Sequence, residues 1–234
     1  MTYIVTGISG GLGKAIAEKL LLEGNKVIGI SRKCAIQNPN FHFIKCDLSD
    51  PDQISSLQLE LDDDKITLIN NAGIIGDIKR ISEQKNSDLS LVLQINAIAP
   101  LELLKKVYDT LSDDQKDNFT LVNISSGAAN RSIPSWSSYC ASKAALNMLS
   151  ENFHKEEREL GRRPKVYAVA PGVIDTPMQE QIRSSREEDF SAHGKFVELK
   201  TNGDLYSPEE AAERLIQLLK MSYKESVFYD LRDL

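Results

Sequence analysis

The sequence is poor in the residues that build metal sites and disulfide frameworks. It contains three cysteines, Cys34, Cys46 and Cys140, and three histidines that lie far apart in the chain. An odd set of cysteines without paired metal-ligand spacing argues against a disulfide framework and fits a reducing cytosol. The scattered histidines form no zinc pattern. We therefore expect a cytoplasmic protein without a metal centre.

Long hydrophobic runs and an excess of positive charge are also missing. No uninterrupted apolar stretch approaches the length of a membrane span, and no basic segment precedes the first apolar run at Tyr3. Lys and Arg number 28 against 34 Asp and Glu, a net charge of −6, whereas a nucleic-acid surface needs a basic face. We expect neither a membrane nor a nucleic acid as partner.

Short β-rich runs alternate with amphipathic helical patterns along the 234 residues. The runs predicted as strands are YIVT, KVIGIS, FHFIKC, ITLIN, FTLVNIS, KVYAVA and SVFYD. The predicted helices cover 12–23, 52–61, 88–111, 138–160 and 208–221, and Pro100 should kink or break the third. This alternation is typical of βαβ units. It predicts one α/β domain over residues 1–234, a doubly wound parallel sheet of about seven strands with helices on both faces.

The segment 178–206 interrupts that alternation. It is polar and charged and shows no strand pattern. A long irregular excursion in a compact domain is usually functional or disordered. Two interpretations remain open, a solvated surface loop and a lid over a substrate.

The stretch SWSSYCASK, residues 135–143, places Tyr139 and Lys143 four positions apart, on one face of a predicted helix. A free tyrosine has a pKa of about 10, and a neighbouring cation favours the phenolate and lowers that pKa. Such a pair is suited to proton transfer near neutral pH. A packed tyrosine beside a solvated lysine gives the same spacing, so the rest of the chain has to decide.

A glycine-rich turn, TGISGGLG, joins the first predicted strand to the first helix. Gly7, Gly11 and Gly13 let the backbone turn tightly and approach a pyrophosphate, and the start of the helix offers free N–H groups and a positive dipole end. In this position the turn predicts a dinucleotide site. Its spacing, G-x-x-x-G-x-G, differs from the common G-x-G-x-x-G fingerprint.

Five motifs occur in a fixed order between residues 6 and 178: TGISGGLG, NNAG, NISS, YCASK and PGVIDTPM. Their order and spacing resemble those of the short-chain dehydrogenase/reductase family, a group of NAD(P)-dependent oxidoreductases with a Rossmann-type fold. Trp136, the YC pair, PGVIDTPMQ and the ending FYDLRDL resemble the sepiapterin reductase and bacterial benzil reductase branch.

The resemblance implies a catalytic tetrad of Asn96, Ser126, Tyr139 and Lys143. Tyr139 would protonate the substrate carbonyl oxygen, and Lys143 would lower the phenol pKa and bind the nicotinamide ribose. Ser126, 13 positions before Tyr139, would hydrogen-bond the substrate oxygen, while strand alternation points its neighbour Ser125 the other way. The Asn96 amide would anchor a water that relays protons to the lysine.

The resemblance also implies the residues that bind the cofactor. Asp47 would accept a hydrogen bond from the adenine amino group, and Asn71 and Gly73 would lie beneath the adenosine ribose. Val173 would hold the carboxamide through its backbone, and Thr176 would reach the pyrophosphate. The implied cofactor-binding set is Gly7, Ser9, Gly11, Leu12, Gly13, Ser31, Arg32, Asp47, Leu48, Asn71, Ala72, Gly73, Tyr139, Lys143, Pro171, Gly172, Val173 and Thr176.

The end of the second strand, GISRK, bears on the choice between NADP and NAD. An acidic residue there would bind the ribose 2′-hydroxyl, but this chain has Ser31 and Arg32, a hydroxyl and a guanidinium suited to a 2′-phosphate. Many NADP-preferring relatives carry a basic residue in the glycine loop where this chain has Gly10, which counts against that reading. We expect NADPH, with NAD as the alternative.

The expected function is NADPH-dependent reduction of a small, aromatic or bulky ketone or diketone similar to benzil or sepiapterin. The alternatives are an NAD-linked alcohol dehydrogenase and a regulator that binds the dinucleotide without turnover. For substrate contacts, Trp136 would supply an aromatic wall. The Asp230 carboxylate would accept hydrogen bonds from a pterin-like ring, unless it is an idle, solvated carboxylate.

The resemblance further implies a homodimer that pairs through the two long helices. The apolar contact would come from Leu101, Leu104, Val107, Ala145 and Leu149, although packing within one subunit explains some of these residues equally well.

Overall fold

Seven strands form one parallel sheet in the computed structural model, which describes all residues from 1 to 234. The strands are β1 Thr2–Thr6, β2 Lys26–Ser31, β3 Phe41–Lys45, β4 Ile66–Asn70, β5 Thr120–Ile124, β6 Lys165–Ala170 and β7 Phe228–Asp230. Their order is β3-β2-β1-β4-β5-β6-β7, and every neighbouring pair is parallel. The predicted sheet of about seven strands is confirmed.

Helices cover both faces of the sheet. They are α1 Gly11–Leu22, α2 Pro51–Ser55, α3 Asn86–Leu93, α4 Ala99–Thr110, α5 Asp113–Asp117, α6 Ser137–Glu159, α7 Pro177–Arg183, α8 His193–Thr201 and α9 Pro208–Lys220. One apolar core lies between the sheet and the pair α1 and α9, and a second lies under α2, α4 and α6. Every residue of β1, β4 and β5 is buried, which explains why these strands read as continuous apolar runs.

The long third helical pattern is divided by a π-helical turn. Helix α3 passes into a π turn at Gln94–Ile98, and α4 follows with Pro100 in its first turn. Proline has no backbone N–H, so one intrahelical hydrogen bond cannot form, and a π turn accommodates such an interruption. The break predicted at Pro100 is confirmed, and it places Asn96 inside the π turn.

Taken as one helix, Asn86–Thr110 is long and apolar enough to cross a membrane by length and composition. The expectation concerned an uninterrupted apolar run, and this helix is interrupted by polar residues such as Gln94, Asn96 and Glu102. A single helix of this kind is weak evidence for a span, because core helices of water-soluble proteins pass the same test. Here Leu103 and Val107 of the helix are buried in the core beneath the sheet.

The segment 178–206 is not irregular as predicted. It contains most of α7 and all of α8, and Phe190 and Phe196 are buried against Trp136. An apolar cluster, hidden among polar residues in the sequence, thus holds two short helices against the body of the protein.

The strand order reverses between β1 and β4, because the chain leaves β1 towards β2 and later returns to the other side of β1. In open α/β sheets the loops at the carboxyl ends of the strands separate at this point and leave a crevice. The glycine loop, the NNAG loop and the loops after β5 and β6 all start at this edge.

Candidate active site

One large cleft, of about 610 Å³, lies at the carboxyl edge of the sheet. Arg32 and Asp47 line one part of it, and Ser126, Tyr139 and Lys143 line another. The glycine loop and the loop 170–177 also line it. The topology therefore brings motifs from five separate parts of the chain into one cavity.

The glycine loop is close-packed against the NNAG loop. Gly7 and Gly11 have φ angles of +74° and +55°, which favour glycine over residues with a side chain. A Cβ on Gly13 would lie 2.3 Å from Asn71 Nδ2 and 2.5 Å from the Gly7 carbonyl oxygen. Gly13 does not line the cleft, so its part is to let α1 approach the loop rather than to contact a ligand.

Thr6 and Asn71 join the two loops by hydrogen bonds. The Thr6 hydroxyl accepts from the backbone N–H groups of Asn71 and Ala72 at 2.9 and 3.0 Å, and Asn71 Nδ2 donates to the Thr6 carbonyl at 2.9 Å. Asn71 is thus held from both its backbone and its side chain. This fixes the floor of the cleft before any ligand enters.

Tyr139 and Lys143 both lie on α6 and both are buried. The Lys143 ammonium donates to the Ile124 carbonyl at 2.7 Å and lies 5.8 Å from the centroid of the Tyr139 ring. Burial lowers the pKa of Lys143 from 10.5 to about 8.

The predicted lowering of the Tyr139 pKa is wrong. Burial raises the pKa of Tyr139 to about 12, although the Ser126 hydroxyl acts in the opposite direction. The lysine is engaged with the Ile124 carbonyl, and loss of water from the phenol outweighs any nearby charge. Tyr139 is therefore a neutral, protonated phenol at pH 7.

Ser126 and Ser125 point in different directions, as strand alternation predicts. The Ser125 hydroxyl donates to Asn147 Oδ1 at 2.5 Å, whereas the Ser126 oxygen accepts from the Ala128 N–H at 3.1 Å. The Ser126 hydroxyl also interacts with the Tyr139 phenol, whose pKa it lowers. Both serines line the cleft, but Ser126 is the one directed at Tyr139.

Asn96 lies behind the cleft rather than in its lining, and it is fully buried. Its Oδ1 accepts from the Ile74 N–H at 2.9 Å, and its Nδ2 donates to the Ile74 carbonyl at 2.8 Å and to Ser142 Oγ at 3.0 Å. Both amide hydrogens are engaged, so the side-chain amide has no free donor for the water that it was predicted to anchor. The contacts make Asn96 a positioning residue that holds the loop next to Lys143 and Gly73.

At the other part of the cleft, the Ser31 hydroxyl already donates to the Lys33 carbonyl at 2.6 Å. The exposed Arg32 side chain lies in the lining, and so does Lys33, which the sequence analysis missed. Asp47 Oδ1 accepts from the backbone and hydroxyl of Ser49, and these bonds lower the pKa of Asp47. The cleft thus has two cations and one carboxylate in this region.

The other residues implied for the cofactor also line the cleft: Gly7, Ser9, Gly11, Leu12, Leu48, Asn71, Ala72, Gly73, Pro171, Gly172, Val173 and Thr176. They come from four segments of the chain, and the first and last of these residues, Gly7 and Thr176, are more than 160 positions apart. Within the implied set, Gly13 is the residue that lies outside the lining.

Asp230 is not in the cleft, which corrects its predicted role as a substrate contact. Its carboxylate accepts from the Arg232 backbone N–H at 3.0 Å and from Arg232 Nε at 2.8 Å, and it also pairs with Nη2. Arg232, rather than Asp230, lines the cleft. The sequence analysis did not consider an ion pair between Asp230 and Arg232, two positions apart.

Trp136 lines the cleft, but little of its ring is open to it. The indole stacks on Phe190 at 5.3 Å, packs on Phe196 at 5.3 Å and meets Tyr139 edge-on at 5.6 Å between ring centroids. It is 5% exposed, and its Nε1 is buried without a hydrogen-bond partner. Trp136 therefore supports the cleft wall together with two phenylalanines that the sequence analysis did not single out.

Several lining residues near Tyr139 were not predicted. The apolar ones are Ile75, Ile133, Met178, Ile182 and Phe196, and the polar ones are Arg131 and Gln179. The position of Arg131, five residues after Ser126, was the available signal for that residue. The apolar residues come from two loops and from helices α7 and α8, and no local pattern marks them.

Comparisons with known proteins agree with this geometry. The family model described as short chain dehydrogenase matches residues 1–187. The chain is 36% identical over 239 residues to the benzil reductase ((S)-benzoin forming) of Bacillus subtilis, covering 99% of this chain and 98% of that protein. The chain belongs to the short-chain dehydrogenase/reductase family.

Two further short-chain dehydrogenase/reductase relatives support the predicted branch and the fold. The sepiapterin reductase of Bos taurus is 30% identical over 191 residues, covering 79% of this chain and 66% of that protein. The crystal structure of YIR035C, a short chain dehydrogenase/reductase from Saccharomyces cerevisiae, has a TM-score of 0.85 and 26% identity, covering 99% of this chain and 96% of that one. As a short-chain dehydrogenase/reductase, the chain is an oxidoreductase of a family that binds a nicotinamide dinucleotide.

Proposed function

We propose that the protein is an NADPH-dependent reductase of small carbonyl compounds. The observation that carries the proposal is that Ser126, Tyr139 and Lys143 line the same cleft as the glycine loop and Arg32. A proton donor and a dinucleotide cradle in one cavity are what hydride transfer to a carbonyl requires. The similarity to a benzil reductase and a sepiapterin reductase supports this class of reaction.

The residues present fit a dinucleotide. The turn at Gly7 and Gly11 leaves the backbone bare beside the start of α1, and a Cβ on Gly11 would lie 3.2 Å from the Thr176 methyl group. A pyrophosphate would lie on the N–H groups of this turn. Asp47 would accept from the adenine amino group, and a bound reduced nicotinamide would supply the hydride.

The preference for NADPH rests on Arg32 and Lys33. Both are exposed side chains in the lining, and no carboxylate forms an ion pair with either. Lys33 is a second cation beside Arg32, and it compensates for the basic residue that many NADP-preferring relatives have at the position of Gly10. Two guanidinium or ammonium groups next to a ribose would favour a 2′-phosphate over a 2′-hydroxyl.

Proton transfer follows from the state of the side chains. Tyr139, with a pKa of about 12, holds its proton at pH 7 and donates it to the carbonyl oxygen as negative charge develops there. The Ser126 hydroxyl, which lies beside the Tyr139 phenol, stabilises the same oxygen by a hydrogen bond. Lys143, with a pKa of about 8, is mostly an ammonium at pH 7. In this state it is able to bind ribose hydroxyls and to stabilise the negative charge of Tyr139 after the phenol has given up its proton.

The substrate part of the cleft favours an apolar or aromatic carbonyl compound. Ile133, Met178, Ile182 and Phe196 line the cleft together with Trp136. Pockets of this composition bind flat or bulky hydrocarbon groups, and a few polar groups orient them. A ketone or diketone with an aromatic substituent fits this description.

A spectrophotometric screen tests the proposal. Purified protein is mixed with NADPH or NADH and a carbonyl panel that includes benzil and sepiapterin, and loss of reduced nicotinamide is followed. We expect NADPH-dependent turnover of at least one aromatic ketone. Turnover only in the oxidative direction with NAD would favour the alcohol dehydrogenase alternative, and tight dinucleotide binding without any turnover would favour the regulator.

We also propose that the protein is a homodimer. Leu104 and Val107 are buried within the subunit and are not available for contact, which corrects part of the predicted face. Exposed apolar residues remain on the same two long helices: Leu91, Leu93, Ile98, Leu101 and Met148. An apolar face of this kind on neighbouring helices is suited to self-association.

A further inference from the structure

Arg131 occupies a distinctive place beside the catalytic side chains. It lies in the loop that follows β5, five residues after Ser126, and it lines the same cleft as Ser126 and Tyr139. A Cβ built on Gly127 would be 4.0 Å from Arg131 Nη2. The guanidinium therefore lies near Gly127, the residue after the serine proposed to bind the substrate oxygen.

The charge of Arg131 is unpaired. Most arginines of this acidic protein have a carboxylate or carbonyl partner: Arg158, Arg162, Arg183, Arg186, Arg214 and Arg232. Arg131 is exposed and makes no ion pair or side-chain hydrogen bond. Among the unpaired arginines, only Arg32 and Arg131 line the cleft, and Arg32 belongs to the region proposed for the adenosine ribose.

The cleft that Arg131 lines also has apolar walls. Ile133, Met178, Ile182 and Phe196 belong to the same lining, so a ligand with an apolar group and one charged group would have partners for both.

We propose that Arg131 binds a carboxylate on the substrate, so that the preferred substrates are aromatic or apolar carbonyl compounds that carry a carboxylate near the reacting carbonyl. The inference rests on the proposed reductase function and names its substrate class. A guanidinium matches a carboxylate with two parallel hydrogen bonds, which fixes orientation as well as affinity. In the reaction the carbonyl carbon would be reduced by a hydride from NADPH, which would become NADP+, and the carbonyl oxygen takes the proton of Tyr139.

The test compares two probes that share one ketone, phenylglyoxylate and its methyl ester. Wild-type protein should show a higher kcat/KM for the acid, and Arg131→Met should lower the acid-to-ester ratio of kcat/KM by about 10- to 100-fold, as expected for a hydrogen bond to a charged group. Arg163→Met is the matched control, because Arg163 is exposed, is unpaired and lies outside the cleft. Arg131→Lys keeps the charge but loses the planar guanidinium, so its acid-to-ester ratio should lie between those of wild type and Arg131→Met.

A binding measurement provides a readout without turnover. Trp136 is the only tryptophan of the chain, so its fluorescence reports on the cleft. Benzoate should bind more tightly than benzamide to wild-type protein, and Arg131→Met should raise the Kd for benzoate by about tenfold or more.

The outcomes separate the inference from the function on which it rests. An acid-to-ester ratio that is the same in wild type, Arg131→Met and Arg163→Met would overturn the inference, while reduction of the ester with NADPH would leave the proposed function standing. An equal loss in Arg131→Met and Arg163→Met would also overturn it, because the effect would then be one of net charge. Arg131-dependent benzoate binding without reduction of either probe would support the anion site and contradict the reductase.

Discussion

Gly13→Ala should distort the dinucleotide site, although Gly13 itself does not line the cleft. The added Cβ would lie 2.3 Å from Asn71 Nδ2 and 2.5 Å from the Gly7 carbonyl oxygen, both below the closest contacts that real side chains make. The Gly7 backbone cannot move freely, because its N–H donates to the Ile30 carbonyl at 2.9 Å. Alanine gains about 1 kcal/mol in helix propensity over glycine, but overpacking of this kind costs about 1–3 kcal/mol or more.

We therefore expect Gly13→Ala to lose about 2 kcal/mol of unfolding free energy, or about 4–8 °C in Tm for a domain of this size. Its affinity for NADPH should fall as well, because the Gly7 turn is displaced. Gly10→Ala is the matched control, since Gly10 has an extended φ of 174° and nothing lies within 4 Å of its Cβ position. Thermal unfolding with and without NADPH measures both effects, and a Gly13→Ala protein that behaves like Gly10→Ala would refute the close packing.

Three further perturbations have signs that follow from the structure. Burial lowers the pKa of Lys143 from 10.5 to about 8, so the unfolded chain holds this proton more tightly. Wild-type unfolding free energy should therefore rise relative to Lys143→Met by about 3 kcal/mol as the pH increases from about 8 to 10.5, and a flat difference in denaturant titrations would contradict this. Arg32→Asp should move the NADPH-to-NADH ratio of kcat/KM towards NADH by at least about tenfold, and Lys33→Asp should act in the same direction; unaltered ratios in steady-state kinetics would remove the 2′-phosphate contact. Leu101→Glu should reduce the mass in light scattering from twice 26.1 kDa to 26.1 kDa, and a wild-type mass of 26.1 kDa across a dilution series would refute the dimer.

The fold was predictable because its signals are local and repeated. Buried parallel strands appear as apolar runs, and helices of one hydrophobic face separate them, so the pattern alone indicates a doubly wound sheet. Pro100 marked the break in the third helix for a chemical reason, its missing N–H. The segment 178–206 was misjudged because Phe190 and Phe196 meet Trp136 only in three dimensions.

The parts of the candidate site that consist of sequence motifs were predictable. The parts that depend on side-chain packing or on ion pairs were not. The glycine loop and the Tyr139–Lys143 spacing led directly to the cleft. The sign of the Tyr139 pKa shift was not predictable, because it depends on how completely the phenol is buried. A substrate contact by Asp230 was plausible from the sequence, but in the structure its carboxylate is paired with the Arg232 guanidinium.

Tyr139→Phe tests the central claim most directly, because it removes one proton donor and almost no volume. Steady-state reduction of the best carbonyl substrate by NADPH is measured for wild type and variant, together with the Kd for NADPH. The account predicts that kcat falls by at least about 100-fold, the scale of general acid catalysis, while the Kd changes little because Lys143 and the glycine loop remain. A Tyr139→Phe protein with near-wild-type kcat would contradict the assignment of Tyr139 as the acid that completes carbonyl reduction.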